Sequence, residues 1–270
     1  MQGPSSAGVA PATMAAMEKL QDRYVRTGTT RTHYVEAGNG PPLVLLPGVF
    51  ILAQTYCGLI SRLSSQVRTI VPDLPGSGLS GGLPAPWSFE QYADWTPSFL
   101  DALKLERATI VGHSNGGGVA LVTAATYPER IDTLVLVDTV GARASASPIG
   151  VLGGRTLDAW LEMELNLVAW KHVVYNLTYH RRTFKHQLKA AITANLLPYA
   201  PQIEAPTLLA WGRRDWTMPL DCALRLQGLI PRSELYVSNA SHDWLMTEPD
   251  EFSGVVGRFV RQYLPQQVGV

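Results

Sequence analysis

Cysteine is scarce in this 270-residue chain, which holds only Cys57 and Cys222. Two cysteines without a C-x-x-C spacing argue against a disulfide framework and a structural zinc site, so we expect two buried thiols. Net charge is missing too, because Lys plus Arg and Asp plus Glu each total 22. That balance favours neither nucleic acid nor a membrane surface as a partner, and we expect a neutral or apolar small molecule.

Long apolar runs and targeting signals are absent as well. No apolar run approaches the roughly 20 residues that cross a bilayer. Residues 1–17 are rich in Ala, Pro, Ser and Gly and lack the basic start and long apolar core of a signal peptide. We therefore expect residues 1–17 to form a disordered tail and the protein to be cytoplasmic.

The rest of the chain alternates short apolar runs with segments typical of helices. Asp22–Gly28 and Arg31–Ala37 predict a β-hairpin. Six later runs are continuously apolar, as strands buried on both faces of a parallel sheet are. They are Leu43–Leu46, Thr69–Val71, Ala108–Val111, Thr133–Val137, Thr207–Trp211 and Glu234–Val237. The pattern predicts an α/β fold with a mostly parallel central sheet flanked by helices.

The strand pattern stops between Gly141 and about Leu197, where helix formers and aromatic residues follow one another. We interpret residues 141–197 as an inserted helical cap. Residues 18–140 and 198–270 would then form one core domain, for which a hydrophobic content of 46% is sufficient.

One motif in the predicted core carries chemistry. Gly112-His113-Ser114-Asn115-Gly116 directly follows an apolar run and matches G-x-S-x-G, which places a serine on a sharp strand-to-helix turn. The two glycines fit a turn that crowds its flanking backbone. Ser114 is therefore the predicted nucleophile, although a serine hydroxyl also needs a base and an acid.

The base is predicted from position, because catalytic groups in parallel α/β sheets gather just after the strands. Among six histidines, His242 alone lies between the last predicted strand and the last predicted helix. His113 is expected to point away from the nucleophile. The others lie in the hairpin or on expected solvated faces of the cap: His33, His172, His180 and His186.

Two aspartates compete for the role of the acid. Asp215 lies in the loop after Thr207–Trp211, and Asp138 ends the strand that follows the nucleophile helix. We favour Asp215 and expect Asp138 to form local hydrogen bonds. Asp243 is too close to His242 in sequence to orient its ring easily.

These features together resemble the α/β-hydrolase superfamily over residues 22–264, including its chain order of serine, acid and histidine. Three further stretches carry the resemblance. They are Leu45–Val49, which is similar to the H-G-x loop, Asp73–Ser80, which is similar to the D-x-x-G-x-G-x-S turn, and Tyr127–Ile131, which is similar to the segment after the nucleophile helix.

The resemblance also implies an oxyanion hole built from main-chain N–H groups. We assign it to Asn115 and Val49, with Phe50 as the alternative to Val49. Pro47 stands where the family usually has histidine. The hydrogen bond from that histidine side chain is therefore missing, and the motif does not define the exact conformation of the loop.

By resemblance, the expected activity is serine hydrolysis through an acyl-enzyme, with no metal or organic cofactor. A serine nucleophile argues against the haloalkane dehalogenases and epoxide hydrolases of the family, which need aspartate. Aromatic residues near the predicted site indicate an apolar pocket, and we expect a hydrophobic ester or lactone as substrate. The substrate-binding candidates are Phe50, Trp160, Trp216 and Trp244.

Several alternatives stay open. The same three side chains could cleave a carbon–carbon bond, hydrolyse a thioester or transfer an acyl group to an alcohol. A ligand-sensing protein could also keep the fold with little turnover. The sequence leaves both a monomer and a homodimer open.

Overall fold

An eight-stranded sheet forms the centre of the described part of the chain. The computed structural model describes residues 20–49, 51–143, 153–158 and 163–263. The strands are β1 (Gln21–Thr27), β2 (Thr30–Ala37), β3 (Pro42–Leu46), β4 (Arg68–Pro72), β5 (Ala108–His113), β6 (Ile131–Val137), β7 (Thr207–Gly212) and β8 (Ser233–Ser238). They lie side by side in the order β1-β2-β4-β3-β5-β6-β7-β8.

The strand directions confirm the predicted α/β class. The β1–β2 and β2–β4 pairs are antiparallel, and the five remaining pairs within the described sheet are parallel. β1 and β2 form the predicted hairpin, with Gln21 opposite Glu36 and Thr27 opposite Thr30. Gly28 opens the turn at φ +58°, a conformation that glycine adopts without steric cost.

Helices cover both faces of this sheet. They are α1 (Cys57–Leu63), α2 (Phe89–Ala102), α3 (Asn115–Thr126), α4 (residues 153–158), α5 (Met163–Tyr179), α6 (Arg181–Thr193), α7 (Leu220–Gln227), α8 (Trp244–Thr247) and α9 (Pro249–Tyr263). Short 3-10 turns occupy Ala53–Tyr56, Pro128–Arg130 and Leu197–Gln202. Among the described helices, none has the length and apolar character needed to span a bilayer.

Two hydrophobic clusters, one on each face, hold the layers together. Leu43 and Leu45 of β3 belong to the cluster that includes residues of α1 and α9. Val44 and Leu46 belong to the other, with residues of α2, α3 and α7. Successive strand residues point to opposite faces, so a strand covered on both sides is apolar throughout. This is the physical reason that apolar and polar residues do not alternate along β3.

Helices α4, α5 and α6 lie between β6 and β7, inside the predicted cap segment 141–197. Polar contacts join α5 to the body of the protein. His172 Nδ1 lies 2.7 Å from the Thr55 hydroxyl. The Gly78 N–H donates to Asn176 Oδ1 at 2.9 Å, and His180 Nε2 donates to the Gly78 carbonyl at 2.9 Å. His172 and His180 therefore hold α5 in place, whereas the sequence suggested solvated faces.

The two cysteines differ in burial. Cys222 is buried as expected, whereas Cys57 at the start of α1 is only half-buried. Burial is the main cause that raises the pKa of the Cys222 thiol to about 12 and that of Cys57 to about 11. Both groups therefore stay protonated and unreactive at neutral pH.

The turn between β5 and α3 is packed so closely that it needs glycine. A Cβ atom at Gly112 would lie 2.5 Å from the Gly116 carbonyl oxygen. A Cβ atom at Gly116 would overlap the Leu46 carbonyl of β3. The obstacle is main chain in both cases, so it cannot rotate away.

Gly116→Ala is expected to lower the free energy of unfolding by about 2–3 kcal/mol, because backbone must move to accept the methyl group. Gly254→Ala in α9 is the matched control. Its methyl group would lie 3.6 Å from the flexible Arg258 side chain, and alanine favours a helix by about 0.5–1 kcal/mol. Urea unfolding of both variants measures the difference. Equal stability of the two variants would contradict this account of the turn.

Candidate active site

Ser114 lies at the junction of β5 and α3 in a strained backbone conformation. Its φ is +51° and its ψ is −113°. A positive φ is unusual for a residue with a side chain and persists only where the surroundings enforce it. The Ser114 N–H donates to the Val137 carbonyl at 2.9 Å, which ties the turn to β6. The turn presents a half-buried serine beyond the end of the sheet.

Three predicted site residues come together at this edge. His242 Nε2 lies 3.0 Å from Ser114 Oγ, and His242 Nδ1 lies 2.8 Å from Asp215 Oδ2. Ser114 follows β5, Asp215 follows β7 and His242 follows β8. Because these strands are parallel, their carboxyl ends share one edge of the sheet. The result is a continuous hydrogen-bonded line from a hydroxyl to a carboxylate.

Asp215 is fixed by both carboxylate oxygens. Oδ2 contacts His242, and Oδ1 accepts the Met218 N–H at 2.6 Å. The residue is buried at 4% exposure, so water does not compete for these bonds. The carboxylate can therefore hold the imidazole in one orientation.

Asp138, the alternative acid, is bonded elsewhere. It is fully buried, and its Oδ1 accepts the Gly212 N–H at 2.9 Å, which is a bond to the end of the neighbouring strand β7 and not the local bond that the sequence suggested. Burial and then the nearby charge of Asp215 raise the pKa of the Asp138 carboxyl well above its usual value. The raised pKa favours the neutral form of the Asp138 carboxyl beside Asp215.

Charge decides the protonation of His242. Burial lowers the pKa of the imidazole, but the opposing effect of the Asp215 carboxylate, by charge and by hydrogen bond, raises it to about 9. Asp243 adds to the increase and Arg155 opposes it. The imidazolium is the stabilised form, so the ring can accept a proton from Ser114 only in the fraction of molecules in which it is neutral, and that fraction increases as the pH rises towards 9.

Tyr56 supports the predicted oxyanion loop, in which Pro47 replaces the histidine that the family usually has. The Gly48 N–H donates to the Tyr56 hydroxyl at 3.1 Å, and that hydroxyl lies 2.9 Å from His113 Nδ1. Burial lowers the pKa of His113 to about 4, so its neutral ring can accept the tyrosine proton. Tyr56 therefore joins the predicted oxyanion loop to the residue that precedes Ser114.

The predicted oxyanion donors lie next to these supports. Val49 directly follows Gly48, and a Cβ atom at Gly48 would lie only 3.4 Å from Ser114 Cβ. Asn115 is the first residue of α3, where N–H groups have no acceptor within the helix. The alternative donor, Phe50, lies outside the described residues.

The aromatic residues predicted to bind substrate differ in their burial. Trp244 was expected to line the pocket, and this is wrong. Its side chain is fully buried and packs edge-on against Phe252 at 5.2 Å, because α8 turns it into the core below α9. Trp216 follows the acid and is 54% exposed, while Trp160 lies outside the described residues.

Potential metal ligands overlap with this hydrogen-bonded line. One group comprises Asp138, Asp215 and His242, and a second comprises His113, His242 and Asp243, with ligand atoms within 4.8 Å of one another in each. His242 belongs to both groups. Its two ring nitrogens already contact Ser114 and Asp215, so binding a metal would break that line.

Sequence reasoning missed Tyr56, Arg155 and Asp158. Arg155 Nη2 donates to Asp243 Oδ2 at 2.7 Å, and Asp158 accepts the Thr217 N–H at 2.8 Å. The partners of Arg155 and Asp158 are remote in the chain, and no spacing rule joins a helix between β6 and β7 to loops so far away. The only available signal was a pair of charged residues three positions apart on one helix face.

Comparison with known proteins places this geometry in context. A family model described as alpha/beta hydrolase fold matches residues 41–152. The chain is 30% identical to a 2-hydroxy-6-oxononadienedioate/2-hydroxy-6-oxononatrienedioate hydrolase of Paraburkholderia phymatum, over 88% of this chain and 95% of that protein. It is also 30% identical to a 2-hydroxymuconate semialdehyde hydrolase of a Pseudomonas species, over 86% and 91% respectively.

Two solved structures are also similar to this chain. A meta-cleavage product hydrolase from Pseudomonas fluorescens matches with a TM-score of 0.77 and 25% identity, over 89% of this chain and 97% of that one. The enol-lactonase from Burkholderia xenovorans matches with a TM-score of 0.75 and 23% identity, over 88% and 100%. The lactonase likeness concerns the fold alone.

Asp215→Asn is expected to lower the pKa of His242 from about 9 to below the ordinary imidazole value of roughly 6.5, because burial then prevails. Hydrolytic turnover should fall about a thousandfold or more. Asp138→Asn replaces a neutral carboxyl by a neutral amide, so both effects should be much smaller. NMR titration of the histidine rings and rates on an ester measure them. A reversed ranking would make Asp138 the acid.

Proposed function

The chain belongs to the α/β-hydrolase fold family, and we propose that within it this protein is a serine hydrolase that cleaves an ester or lactone of a hydrophobic small molecule. The observation that carries the proposal is the line from Ser114 through His242 to Asp215, with contacts of 3.0 and 2.8 Å. A buried base placed between a hydroxyl and a carboxylate supports nucleophilic attack on an acyl carbon.

In the proposed mechanism, His242 Nε2 accepts the Ser114 hydroxyl proton as Oγ attacks the substrate carbonyl. Asp215 stabilises the resulting imidazolium and keeps Nδ1 protonated. His242 then donates the proton to the leaving alcohol, which leaves an acyl group on Ser114. Water, deprotonated by the same imidazole, releases the acid and restores the serine.

The negative charge of the tetrahedral intermediate would be met by the main-chain N–H groups of Asn115 and Val49. Loss of one such donor typically costs about 3 kcal/mol of transition-state stabilisation. The Tyr56 hydroxyl supports this role indirectly, because it occupies the Gly48 N–H and so fixes the direction of the next peptide. These donors need no side chain at position 47.

Ser114→Ala is expected to remove nearly all labelling by a fluorophosphonate probe and nearly all turnover of an aryl ester, since no hydroxyl remains at the turn. The exposed Ser65 offers the matched control, and Ser65→Ala should label as the wild type does. Circular dichroism verifies that both variants fold. Undiminished labelling of Ser114→Ala would reject the nucleophile.

A second candidate function is hydrolysis of a carbon–carbon bond beside a carbonyl. The observation that favours it is the 30% identity over most of the chain to the two hydrolases of 2-hydroxy-6-oxononadienedioate and 2-hydroxymuconate semialdehyde. The same serine, histidine and carboxylate could serve that reaction, with a carbon leaving group in place of an alcohol oxygen.

Substrate preference separates the two candidates. An esterase or lactonase should turn over aryl esters or aliphatic lactones at least about 100-fold more efficiently than a 2-hydroxy-6-oxodienoate, measured as kcat/KM. The opposite ratio would assign carbon–carbon hydrolysis. Binding of these compounds by the wild type without product or probe labelling would indicate a ligand sensor.

A further inference from the structure

Two charged side chains of α4 reach the two loops that carry the acid and the base. Asp158 contacts the loop just after Asp215, and Arg155 contacts the residue just after His242. The residues are three positions apart on a helix, so both lie on one face of α4. This helix is part of the segment inserted between β6 and β7.

Asp158 holds the backbone that follows the acid. The residue is fully buried, and its Oδ1 accepts the Trp216 N–H at 3.2 Å. Its Oδ2 accepts the Thr217 N–H at 2.8 Å and the Thr217 hydroxyl at 2.6 Å. The helix packs so closely here that a side chain at Gly154 would overlap the Trp216 carbonyl. These bonds fix the direction in which the loop leaves Asp215.

Arg155 acts on the base through Asp243. Its Nη2 donates to Asp243 Oδ2 at 2.7 Å, and Asp243 Oδ1 lies 3.4 Å from His113 Nε2. Asp243 is buried and directly follows His242. Asp243 is therefore a carboxylate next to the base, and Arg155 offsets the negative charge of this carboxylate.

His113 extends the contact to the oxyanion loop. Its Nε2 faces Asp243 Oδ1 and the His242 carbonyl, the latter at 3.3 Å. Its Nδ1 faces the Tyr56 hydroxyl, which holds Gly48. A chain of buried polar groups thus runs from α4 past the base to the predicted oxyanion donors.

We propose that α4 is a clamp that positions the catalytic groups, with Asp158 holding the acid loop and Arg155 acting through Asp243 on the base. The proposal rests on the proposed function of Ser114, His242 and Asp215. Both residues act through loop groups next to the acid and the base, Asp158 through Thr217 and Arg155 through Asp243. Placement of the inserted segment is thereby coupled to the geometry and charge of the site.

The first test measures the charge effect on His242 by NMR titration of the histidine rings in the full-length protein. Arg155→Met should raise the pKa of His242 by about half a unit or more, because Asp243 loses its cation. Arg155→Lys should restore most of the wild-type pKa. Lys185→Met removes an exposed positive charge from α6 and should leave it unchanged.

Other charged or titratable groups around His242 stay the same in these variants: Asp138, Asp158, Asp215 and His113. The charge-balanced double variant Arg155→Met with Asp243→Asn should return the pKa of His242 close to the wild-type value. An unchanged pKa in Arg155→Met would overturn the role of Arg155. This readout needs no turnover, so it separates the clamp from the proposed function.

The second test measures the acid loop. Asp158→Asn replaces one carboxylate oxygen by an amide N–H₂ group, which cannot accept the hydrogen bonds that Trp216 and Thr217 donate to it. The kcat on an aryl ester should therefore fall at least about tenfold with little change in KM. Thr217→Val removes a single hydrogen bond and should give a smaller loss in the same direction. Thr156→Ala, exposed on the same helix, is the control. Wild-type kcat in both folded variants would overturn the role of Asp158.

Discussion

Parallel pairing of β5, β6, β7 and β8 is the constraint on which the site depends. Each of these strands ends at the same edge of the sheet. Ser114 and Asp138 directly follow β5 and β6, whereas Asp215 and His242 lie three and four residues beyond the ends of β7 and β8. The registers are tight: Gly112 of β5 pairs with Leu136 of β6, and Gly212 of β7 pairs with Ser238 of β8. Buried apolar side chains on both faces hold the strands in those registers, because a shift by one residue would exchange the two faces. The hydrophobic core thus sets the distances between the candidate catalytic groups at this edge.

The charges around His242 are the second constraint on the site. Four aspartates lie around His242, namely Asp138, Asp158, Asp215 and Asp243, and all are buried. Buried carboxylates repel one another strongly, so the arrangement is stable only if some are neutral or paired. Asp138 has a raised pKa, Asp158 is surrounded by donors, and Asp243 is paired with Arg155. Asp215 is left to act on the His242 imidazole, and the pKa of that ring is raised to about 9.

Much of this could be predicted from the amino-acid order. The six apolar runs became β3 to β8 with boundaries extended by one or two residues, because a doubly covered strand has a distinctive composition. The choice between Asp138 and Asp215 followed from strand order alone. The mistake at Trp244 has a simple cause: an aromatic residue two positions after His242 can face a pocket or the core. Trp244 packs against Phe252 because of the direction that the helix takes after the loop, and amino-acid composition does not determine that direction.

The linear chain specifies which residues form strands and which polar residues follow them, since local composition reflects burial on one or two faces. Ser114, Asp215 and His242 were identifiable on that basis as members of one edge. The hydrogen bonds among Gly48, Tyr56 and His113, and those from α4 to the loops, came from the folded coordinates instead. Their partners are separated by many residues, and side-chain contacts of that kind depend on how helices pack on the sheet. Packing is a property of the whole assembled chain, so no single segment contains it.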